Sequence, residues 1–241
     1  MQPKVTIIIP FYNCPYVEQA VSSALSQSYD SIEVILVNDG STIHTNLLKP
    51  YLGRITYIEK ENGGTASALN TGIINANGEY IAWLSSDDFF NREKIAKQMV
   101  KLKQHGGRFC HTSYALINTK NEVTSSMNGM NFPKKIYLAN TLIKGCVVNG
   151  STVLIKKDVF SSIGLFDESL PYTHDYEMWL RMLPHYEYYY IHEDLTFYRI
   201  HDQMGSKKHL EEIDREIILV QNKYHNQIQS LIRYLESESL D

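Results

Sequence analysis

Short apolar runs alternate with amphipathic stretches through the first hundred residues. The runs are rich in β-branched residues, as in strands buried on both faces of a sheet, and they occupy 4–10, 32–41, 54–60 and 79–88. Between and after them, helical spacing is present at 15–28, 62–78 and 92–104, with Asn91 as the expected N-cap of the last helix. This alternation predicts βαβ crossovers and a mixed, mainly parallel α/β sheet with helices on both faces.

The second half has a less regular pattern. It predicts strands at 108–118, 151–157, 186–191 and 195–200, and a short helix at 174–183. The sequence contains no linker, repeat or low-complexity segment. We therefore expect one domain over residues 1–206, followed by a helical tail over 207–241.

The tail carries a narrow apolar stripe. Its members recur at heptad-like intervals and are Leu210, Ile213, Ile217, Val220, Tyr224, Leu231 and Tyr234. Such an amphipathic helix can pack back on the domain, form a homodimer or contact a membrane surface. The sequence leaves these three alternatives open.

Composition narrows the class of protein. The 241 residues carry a net charge of −4 and no basic block, which argues against a nucleic-acid partner. Cys14, Cys110 and Cys146 are widely spaced, as expected for reduced thiols rather than for a disulfide framework or a CxxC zinc site. The first apolar run is broken by Pro10, too short for a signal sequence or a membrane span. We expect a cytoplasmic protein, compatible with peripheral contact at the inner face of the membrane.

Polar residues cluster where two predicted strands end. Asn38 and Asp39 follow the second strand, and 85–88 follows the fourth. Ligands bind outside the carboxyl ends of strands in parallel sheets, so these groups should converge. Asp87 and Asp88 are adjacent carboxylates, which either form a polar strand end or hold a metal.

Taken in order, several motifs resemble those of the family 2 glycosyltransferases with a GT-A fold. They are VTIIIPFYN, VILVNDGST, NGGTASALNTGI, WLSSDD, NGSTVLIKKDVFSSIGLFDESL, HDYEMWLRM and FYRIHDQMGS. The resemblance covers Val5 to about Ser206 and implies an inverting enzyme that moves a sugar from a nucleotide diphosphate sugar to an acceptor. It also implies a GT-A (Rossmann-like) fold, with the nucleotide-sugar-binding half in 1–105 and the acceptor and catalytic half in 106–206.

The resemblance implies that Asp39 lies against the nucleotide base. A carboxylate accepts the N3 hydrogen of uracil or thymine, whereas N3 of cytosine carries none, so a UDP-sugar is the expected donor. The alternative is that Asn38-Asp39-Gly40 is a plain turn. The resemblance implies further donor-binding residues, namely Pro10, Phe11, Asn13, Asn70, Ser86, Asp88 and Arg199.

The leaving diphosphate needs positive charge to stabilise it. The family supplies this with Mn²⁺ or Mg²⁺ held by an Asp-any-Asp motif, which implies Asp87 as a metal ligand and His201 as a second ligand or a diphosphate contact. Ser85 stands where a common form of the motif has Asp, and Leu69 stands where many relatives have an Arg that touches phosphate or sugar.

Inverting transfer also needs a base on the acceptor side to remove the proton of the attacking hydroxyl. The resemblance implies Asp175 as this catalytic base, with His174 where Glu is frequent. Asp175 as an ordinary helix N-cap is the alternative, and Glu177 is a second candidate base. The charge state of His174 decides whether it raises or lowers the pKa of Asp175.

The expected protein is a metal-dependent inverting glycosyltransferase that acts on a glycan or lipid-linked acceptor in surface polysaccharide synthesis. A non-catalytic nucleotide-sugar-binding domain is the main rival, favoured by Ser85 and Leu69. A nucleotidyltransferase would need a basic, Gly-rich loop near the first strand, where IIIPFYNCPY has no Gly, Lys or Arg. A glycosidase uses paired carboxylates but needs no nucleotide pocket.

Overall fold

The apolar runs of the first half form four parallel strands. The computed structural model describes residues 2–238. The strands are β1 (Val5–Phe11), β2 (Ile32–Asp39), β3 (Thr56–Lys60) and β4 (Tyr80–Trp83), and they lie side by side in the order β3-β2-β1-β4. Successive β1 residues face opposite sides of the sheet, because Ile8 packs in one apolar core while Ile7 and Ile9 pack in another. β1 is therefore buried on both faces, as its sequence predicts.

Helices cover both faces of this sheet. α1 (Val17–Leu25) and α3 (Lys94–His105) pack in the core that contains Ile7, and α2 (Gly64–Asn75) packs in the core that contains Ile8. A 3₁₀ turn at Thr45–Tyr51 joins β2 to β3. This arrangement confirms the predicted doubly covered α/β sheet.

Asn91 does not occupy the N-cap of α3. The N-cap is Glu93, and the side chain of Asn91 instead accepts the backbone N–H of Glu93 at 2.9 Å. The prediction was wrong by two residues because Asn91 forms a local turn that precedes the helix.

The sheet continues into the second half with mixed strand directions. Across residues 2–238 it has nine strands, in the order β3-β2-β1-β4-β8-β6-β9-β5 with β7 paired to β6. The later strands are β5 (Phe89–Phe90), β6 (Phe109–Ile117), β7 (Val123–Asn128), β8 (Leu154–Lys156) and β9 (Tyr188–Arg199). β8 runs antiparallel to both β4 and β6, whereas β9 is parallel to β6.

One continuous strand replaces the two strands predicted at 186–191 and 195–200. In β9, the pairing with β6 jumps from Ile191 opposite Thr112 to Asp194 opposite Ser113. His192 and Glu193 occupy this irregularity, so the polar break in the sequence marks a bulge rather than a loop.

The remaining helices lie in the second half. They are α4 (Lys135–Leu142), α5 (Asp158–Ile163), α6 (His174–Met182), α7 (Gly205–Lys208) and α8 (Leu210–Glu238), with a 3₁₀ turn at Gly150–Thr152. β7 and α4 were not predicted, because β7 is a largely exposed polar strand and α4 is short with little apolar periodicity. No helix within residues 2–238 is long and apolar enough to cross a membrane.

The predicted tail helix packs against α4 and α6. Val220, Tyr224 and Ile228 lie in the same core as Trp179 of α6. The buried stripe follows a four-residue step rather than a heptad, so Leu210 and Tyr234 remain 61% and 56% exposed. Of the three alternatives for the tail, the structure shows packing on the domain. The predicted domain begins at Met1 and the predicted tail ends at 239–241, and these terminal residues lie outside the described part of the chain.

Candidate active site

The turn after β4 carries the two adjacent carboxylates, and Asp88 is the buried one. Its Oδ1 accepts the backbone N–H of Arg199 at 2.9 Å, and its Oδ2 lies 2.7 Å from the hydroxyl of Ser151. Burial raises the pKa of Asp88, and the neighbouring Asp87 raises it further. Asp88 thus ties the turn to the end of β9 and to the 3₁₀ turn at 150–152, which favours a supporting role over direct donor contact.

Asp87 faces His201 at the outer side of the same turn. Oδ2 of Asp87 lies 3.0 Å from Nε2 of His201, and the two side chains are 25% and 12% exposed. Nδ1 of His201 accepts the backbone N–H of Gln203 at 3.3 Å, so the neutral ring carries its proton on Nε2 and donates it to Asp87. Asp87 and His201, which belong to two motifs far apart in the sequence, are therefore adjacent in space.

A divalent metal fits this pair if other ligands complete its coordination. Carboxylate oxygen and imidazole nitrogen suit Mn²⁺, and Mg²⁺ is commonly held by one or two carboxylates together with substrate phosphates. Residues 2–238 contain no group of three or more His, Cys, Asp or Glu side chains arranged to hold a metal. Asp87 and His201 would therefore share the ion with water and with phosphate oxygens.

Ser85 and Ser86 surround the carboxylates with hydroxyl groups. The backbone N–H of Ser85 donates to Oγ of Ser151 at 3.2 Å, and the hydroxyl of Ser151 donates to the hydroxyl of Ser85 at 3.0 Å. The side chain of Ser86 forms a hydrogen bond with the thiol of Cys14. Burial and the nearby Asp87 raise the pKa of this thiol to about 11. Ser85 consequently belongs to the network that fixes Asp88.

The guanidinium of Arg199 is fully buried beneath this turn. It donates to the carbonyl oxygens of Asp87 at 2.8 Å and Asn118 at 3.0 Å, and to Oε1 of Gln19 at 2.6 Å. Its plane also lies 4.2 Å from the ring centre of Tyr16. These contacts favour a role in holding the Asp87 backbone rather than the predicted contact with the donor.

Asp39 lies at the end of β2 and is surrounded by donors. Oδ1 accepts from Lys60 at 2.8 Å and from the N–H of Gly63 at 3.0 Å, while Oδ2 accepts from the N–H of Gly64 at 2.8 Å and from Asn62 at 3.2 Å. An ionised carboxylate has about four acceptor positions, so these donors fill it. Asp39 is thus more than a turn residue, because it caps the start of α2 and pairs with Lys60.

The first strand end is organised around Asn13. Its side-chain oxygen accepts the N–H groups of Thr42 at 2.9 Å and Ile43 at 3.1 Å, and its own N–H donates to Ser41 at 3.0 Å. The side chain of Phe11 is wholly buried, so only its backbone can contribute to a pocket here. Pro10 is half-buried at the same strand end.

Asn70 and Leu69 of α2 face the interior. Asn70 exchanges two hydrogen bonds with the backbone of Phe166, at 2.9 and 3.0 Å, and donates to Glu168 at 2.8 Å. Leu69 packs in the core with Ile8. In this structure the Asn70 amide therefore holds the 166–168 loop rather than facing a ligand.

Asp175 lies in the first turn of α6, whose N-cap is Thr173. The N-cap alternative for Asp175 is therefore wrong. Its Oδ1 accepts the backbone N–H of Tyr176 at 2.7 Å, which leaves acceptor capacity for a substrate hydroxyl. Burial raises the pKa of this carboxyl.

His174 is a neutral neighbour of the candidate base. Burial lowers its pKa, and its Nδ1 lies 3.3 Å from the carbonyl oxygen of Leu170. Its Nε2 is buried without a hydrogen-bond partner in the described part of the chain. The centres of the His174 and Trp83 rings lie 5.5 Å apart. A protonated His174 would lower the pKa of Asp175, but the buried ring resists that charge.

Glu177 is unsuited to act as the base. It is buried, its Oε2 accepts from Arg181 at 2.7 Å, and its Oε1 accepts from Lys223 at 3.1 Å and from the hydroxyl of Tyr224. These partners commit the carboxylate to joining α6 and α8.

One segment, residues 146–152, touches both α6 and the Asp87–Asp88 turn. The carbonyl oxygen of Val148 accepts from the indole of Trp179 at 3.1 Å, and Ser151 contacts Asp88. The thiol of Cys146 lies close enough to Asp175 for that carboxylate to raise its pKa, after the larger effect of burial. The segment therefore joins the candidate base to the candidate metal ligands.

Sequence reasoning missed one site residue, Lys60, and it did not predict the contact of Ser151 with Asp88. Lys60 is the residue opposite Asp39 in the β2–β3 register, so correct pairing of the predicted strands would have found it. Ser151 follows Asn149, whose side chain accepts its N–H at 2.9 Å and shapes the 3₁₀ turn. Its contact with Asp88 depends on long-range folding that no local pattern indicates.

A parallel sheet with polar strand ends, extended by strands of mixed direction and a helix with an acidic first turn, is the arrangement expected of a GT-A glycosyltransferase fold. The model of the Glycosyl transferase family 2 matches residues 6–164, and the chain belongs to that family. The motif resemblance is thereby confirmed.

Relatives agree with this assignment. An uncharacterized glycosyltransferase of Rickettsia typhi is 39% identical over 218 residues, which cover 88% of this chain and 69% of the relative. TuaG of Bacillus subtilis, a putative teichuronic acid biosynthesis glycosyltransferase, is 29% identical over 221 residues, which cover 86% of this chain and 83% of that protein. The chain spans only 36% of a glycosyltransferase of Rickettsia felis that is 38% identical.

Solved structures share the fold. TarS 1–349 of S. aureus in complex with UDP-GlcNAc has a TM-score of 0.71 and 18% identity, with 90% of this chain and 66% of that chain covered. Another crystal structure of S. aureus TarS has a TM-score of 0.67 and 18% identity, with 90% of this chain and 39% of that chain covered. The GT-A fold expected from the sequence is confirmed.

Proposed function

We propose that this chain is an inverting glycosyltransferase that moves a sugar from a UDP-sugar to a hydroxyl of a glycan or lipid-linked acceptor. The observation that carries the proposal is the segment 146–152, which contacts α6 beside Asp175 and also the turn that bears Asp87. The proposed base and the proposed metal ligands thus lie on elements that this segment connects.

Asp175 is the proposed base. In the transfer, the acceptor oxygen forms a bond to the anomeric carbon from the face opposite the diphosphate, while the bond from that carbon to the phosphate oxygen breaks. The hydroxyl proton goes to Asp175, and the bonding electron pair leaves with the nucleoside diphosphate. A raised pKa makes Asp175 a stronger proton acceptor than an exposed aspartate.

Asp87 and His201 are the proposed ligands of Mn²⁺ or Mg²⁺, which would neutralise charge on the leaving diphosphate. To bind a metal, Nε2 of His201 must give up the proton that it donates to Asp87. Asp39 is proposed to accept N3–H of uracil, and one of its four present donors must then yield.

The names of similar proteins support the donor and the pathway. TarS has been solved with UDP and with UDP-GlcNAc, and TuaG is named for teichuronic acid biosynthesis. A UDP-sugar donor and a role in surface polysaccharide synthesis follow by analogy. We also propose that the protein works in the cytoplasm, at the inner face of the membrane. Homodimer or membrane contact through the exposed Ile218 and Leu219 of α8 belongs to the same proposal.

A donor screen tests the proposal. The protein is incubated with Mn²⁺ and a panel of UDP-, GDP- and CDP-sugars, and release of the nucleoside diphosphate is measured with and without candidate acceptors. We expect release from a UDP-sugar that an acceptor accelerates. Binding of UDP without turnover of any donor would favour the non-catalytic nucleotide-sugar-binding domain, for which Ser85 is the specific observation.

A further inference from the structure

α6 begins without an internal side-chain cap. The first N–H groups of a helix have no partner within it, and an N-cap threonine commonly accepts one of them through its hydroxyl. Thr173 occupies the N-cap but makes no such bond. Its hydroxyl instead donates to Glu216 of α8 at 2.8 Å.

Three donors at this turn share a single oxygen of Glu216. Its Oε2 accepts the backbone N–H of Thr173 at 2.8 Å and that of Tyr172 at 3.1 Å, in addition to the Thr173 hydroxyl. The carboxylate is buried, and hydrogen bonds to a charged acceptor are stronger than neutral ones. A negative charge before the first turn also complements the helix dipole of α6.

Thr173 sets where α6 starts, and Asp175 follows two residues later. The carbonyl oxygen of Thr173 accepts the N–H of Glu177 at 3.0 Å, which is the first helical hydrogen bond across the turn that contains Asp175. Any rotation of the backbone at 172–173 therefore moves the Asp175 carboxylate relative to the sheet.

A second contact holds the same helix from α8. Lys223 and Tyr224 donate to Oε1 of Glu177 on α6, and the Tyr172 ring stacks on His209 with ring centres 4.7 Å apart. α6 from Glu177 onward is thus held to α8 independently of Glu216, and the ring contact of Tyr172 does not replace the hydrogen bonds that the N–H groups of Tyr172 and Thr173 donate to Glu216. Loss of Glu216 should release the first turn while the rest of the helix stays in place.

We propose that Glu216 is a positioning residue for sugar transfer, which holds the first turn of α6 so that Asp175 faces the acceptor hydroxyl. The role rests on the proposed function, because it assumes that Asp175 is the base. Glu216 is then the residue of the carboxy-terminal helix α8 that acts on the site, whereas residues such as Ile228 only cover the core. Displacement of a catalytic group by about 1 Å can lower a rate about 100-fold, so a small release of this turn has a large effect.

Three variants of the full chain test the role. Glu216→Ala removes the acceptor, Glu216→Gln keeps an oxygen in the same place, and Ile228→Val is the matched control that weakens α8 packing elsewhere. Each is measured for kcat, for UDP affinity, for melting temperature, and for hydrogen exchange at the amides of Tyr172 and Thr173.

We expect Glu216→Ala to lower kcat about 100-fold with UDP affinity unchanged, and to lose exchange protection at Tyr172 and Thr173. Glu216→Gln should recover kcat to within about fivefold of the wild type, since a neutral acceptor replaces a charged one. Ile228→Val should lower the melting temperature but leave kcat and the two amides unchanged.

Wild-type kcat in Glu216→Ala would overturn the proposal, as would an equal loss of kcat in Ile228→Val. The proposed function fails in a different way, through a wild type that turns over no donor. That result would remove the catalytic role of Glu216, while the exchange of Tyr172 and Thr173 would still decide whether it anchors the turn.

Discussion

Nε2 of His201 lies 3.0 Å from Oδ2 of Asp87, although 114 positions separate the two residues in the chain. The turn after β4 brings one partner and the segment after β9 brings the other, and Arg199 at the end of β9 donates a hydrogen bond to the Asp87 carbonyl oxygen. This spacing is compatible with two ligands of one metal ion, and the proposed site depends on it.

Asp87→Asn should abolish the effect of Mn²⁺ on UDP binding. The amide keeps the shape and can still meet His201, but it lacks the charge that a hard divalent cation requires. We expect UDP affinity in the presence of Mn²⁺ to fall about tenfold or more, equivalent to about 1.4 kcal/mol, with little change in the absence of metal. Isothermal calorimetry in both conditions measures this.

Asp202→Asn is the matched control for the metal experiment. Asp202 follows His201 directly, but its side chain is 95% exposed and pairs with Lys207. It should bind UDP as the wild type does. Equal Mn²⁺ dependence in the wild type and in Asp87→Asn would contradict the metal assignment.

Asp175→Asn should remove the base without disturbing the donor pocket. General-base catalysis contributes about 10²–10⁴-fold, so kcat should fall by that range while UDP affinity is retained. Asp158→Asn, a change at a half-exposed surface ion pair with Arg108 and Lys156, is the control. Full turnover in Asp175→Asn with the true acceptor would exclude this residue as the base.

The acid limb of the pH profile should report the same carboxyl. Asp175 works only when it is deprotonated, and burial raises its pKa. Activity should therefore fall as pH decreases through a value above about 3.9, the ordinary aspartate pKa. His174 does not oppose this shift near neutral pH, since burial lowers its own pKa. A kcat profile over pH measures the limb, and an acid limb at or below the ordinary value would count against the assignment.

Asp39→Asn should reduce the preference for uracil over cytosine. The aspartate can only accept hydrogen bonds, whereas Asn also donates and can meet N3 of cytosine. We expect the ratio of UDP to CDP affinity to fall tenfold or more. A loss of stability of about 1–3 kcal/mol should accompany it, because an NH₂ group replaces the oxygen that accepts from Gly64 and Asn62, and Lys60 loses its negative partner.

Glu33→Gln controls for stability in the Asp39 experiment. Glu33 lies near the other end of β2 and accepts from Thr6 and Asn77, so its change weakens the same strand away from the strand end. Its ratio of UDP to CDP affinity should match the wild type. Competition binding gives both ratios, and an unchanged ratio in Asp39→Asn would argue against contact with the base.

The predicted strands and helices of the first half match the structure because local sequence decides them. A run such as Thr6–Ile9 must be buried, and one buried strand after another with helices between leaves few ways to arrange a sheet. The bulge at His192 and Glu193 could not be predicted, since it depends on which strand pairs with β9.

The motifs single out candidate site residues, but they do not give the contacts of those residues. A motif identifies Asp39, Arg199 and Asn70, yet the structure surrounds each with protein partners that lie far away in sequence. Glu216 had no signal at all, because its role arises from the packing of α8 on α6. Such contacts depend on tertiary structure, which hydrophobic periodicity does not specify.

Lys94 should make stability depend on pH. Its ammonium is buried on α3, where it donates to Gln98 at 2.8 Å and to the carbonyl oxygen of Val153 at 3.3 Å, and burial lowers its pKa to about 7. The unfolded chain keeps this proton up to about pH 10.4, so above pH 7 the unfolded state binds more protons and stability rises with pH. The slope of the unfolding free energy against pH approaches about 1.4 kcal/mol per pH unit in this window and is lost as pH falls through 7.

Urea unfolding between about pH 7 and 8, below the ordinary thiol pKa of about 8.5, isolates the effect of Lys94 from that of Cys110. Lys94→Met should flatten the slope, whereas Lys97→Met, at a surface pair with Glu193, should keep it. A slope in Lys94→Met equal to that of the wild type would show that this lysine is protonated alike in both states.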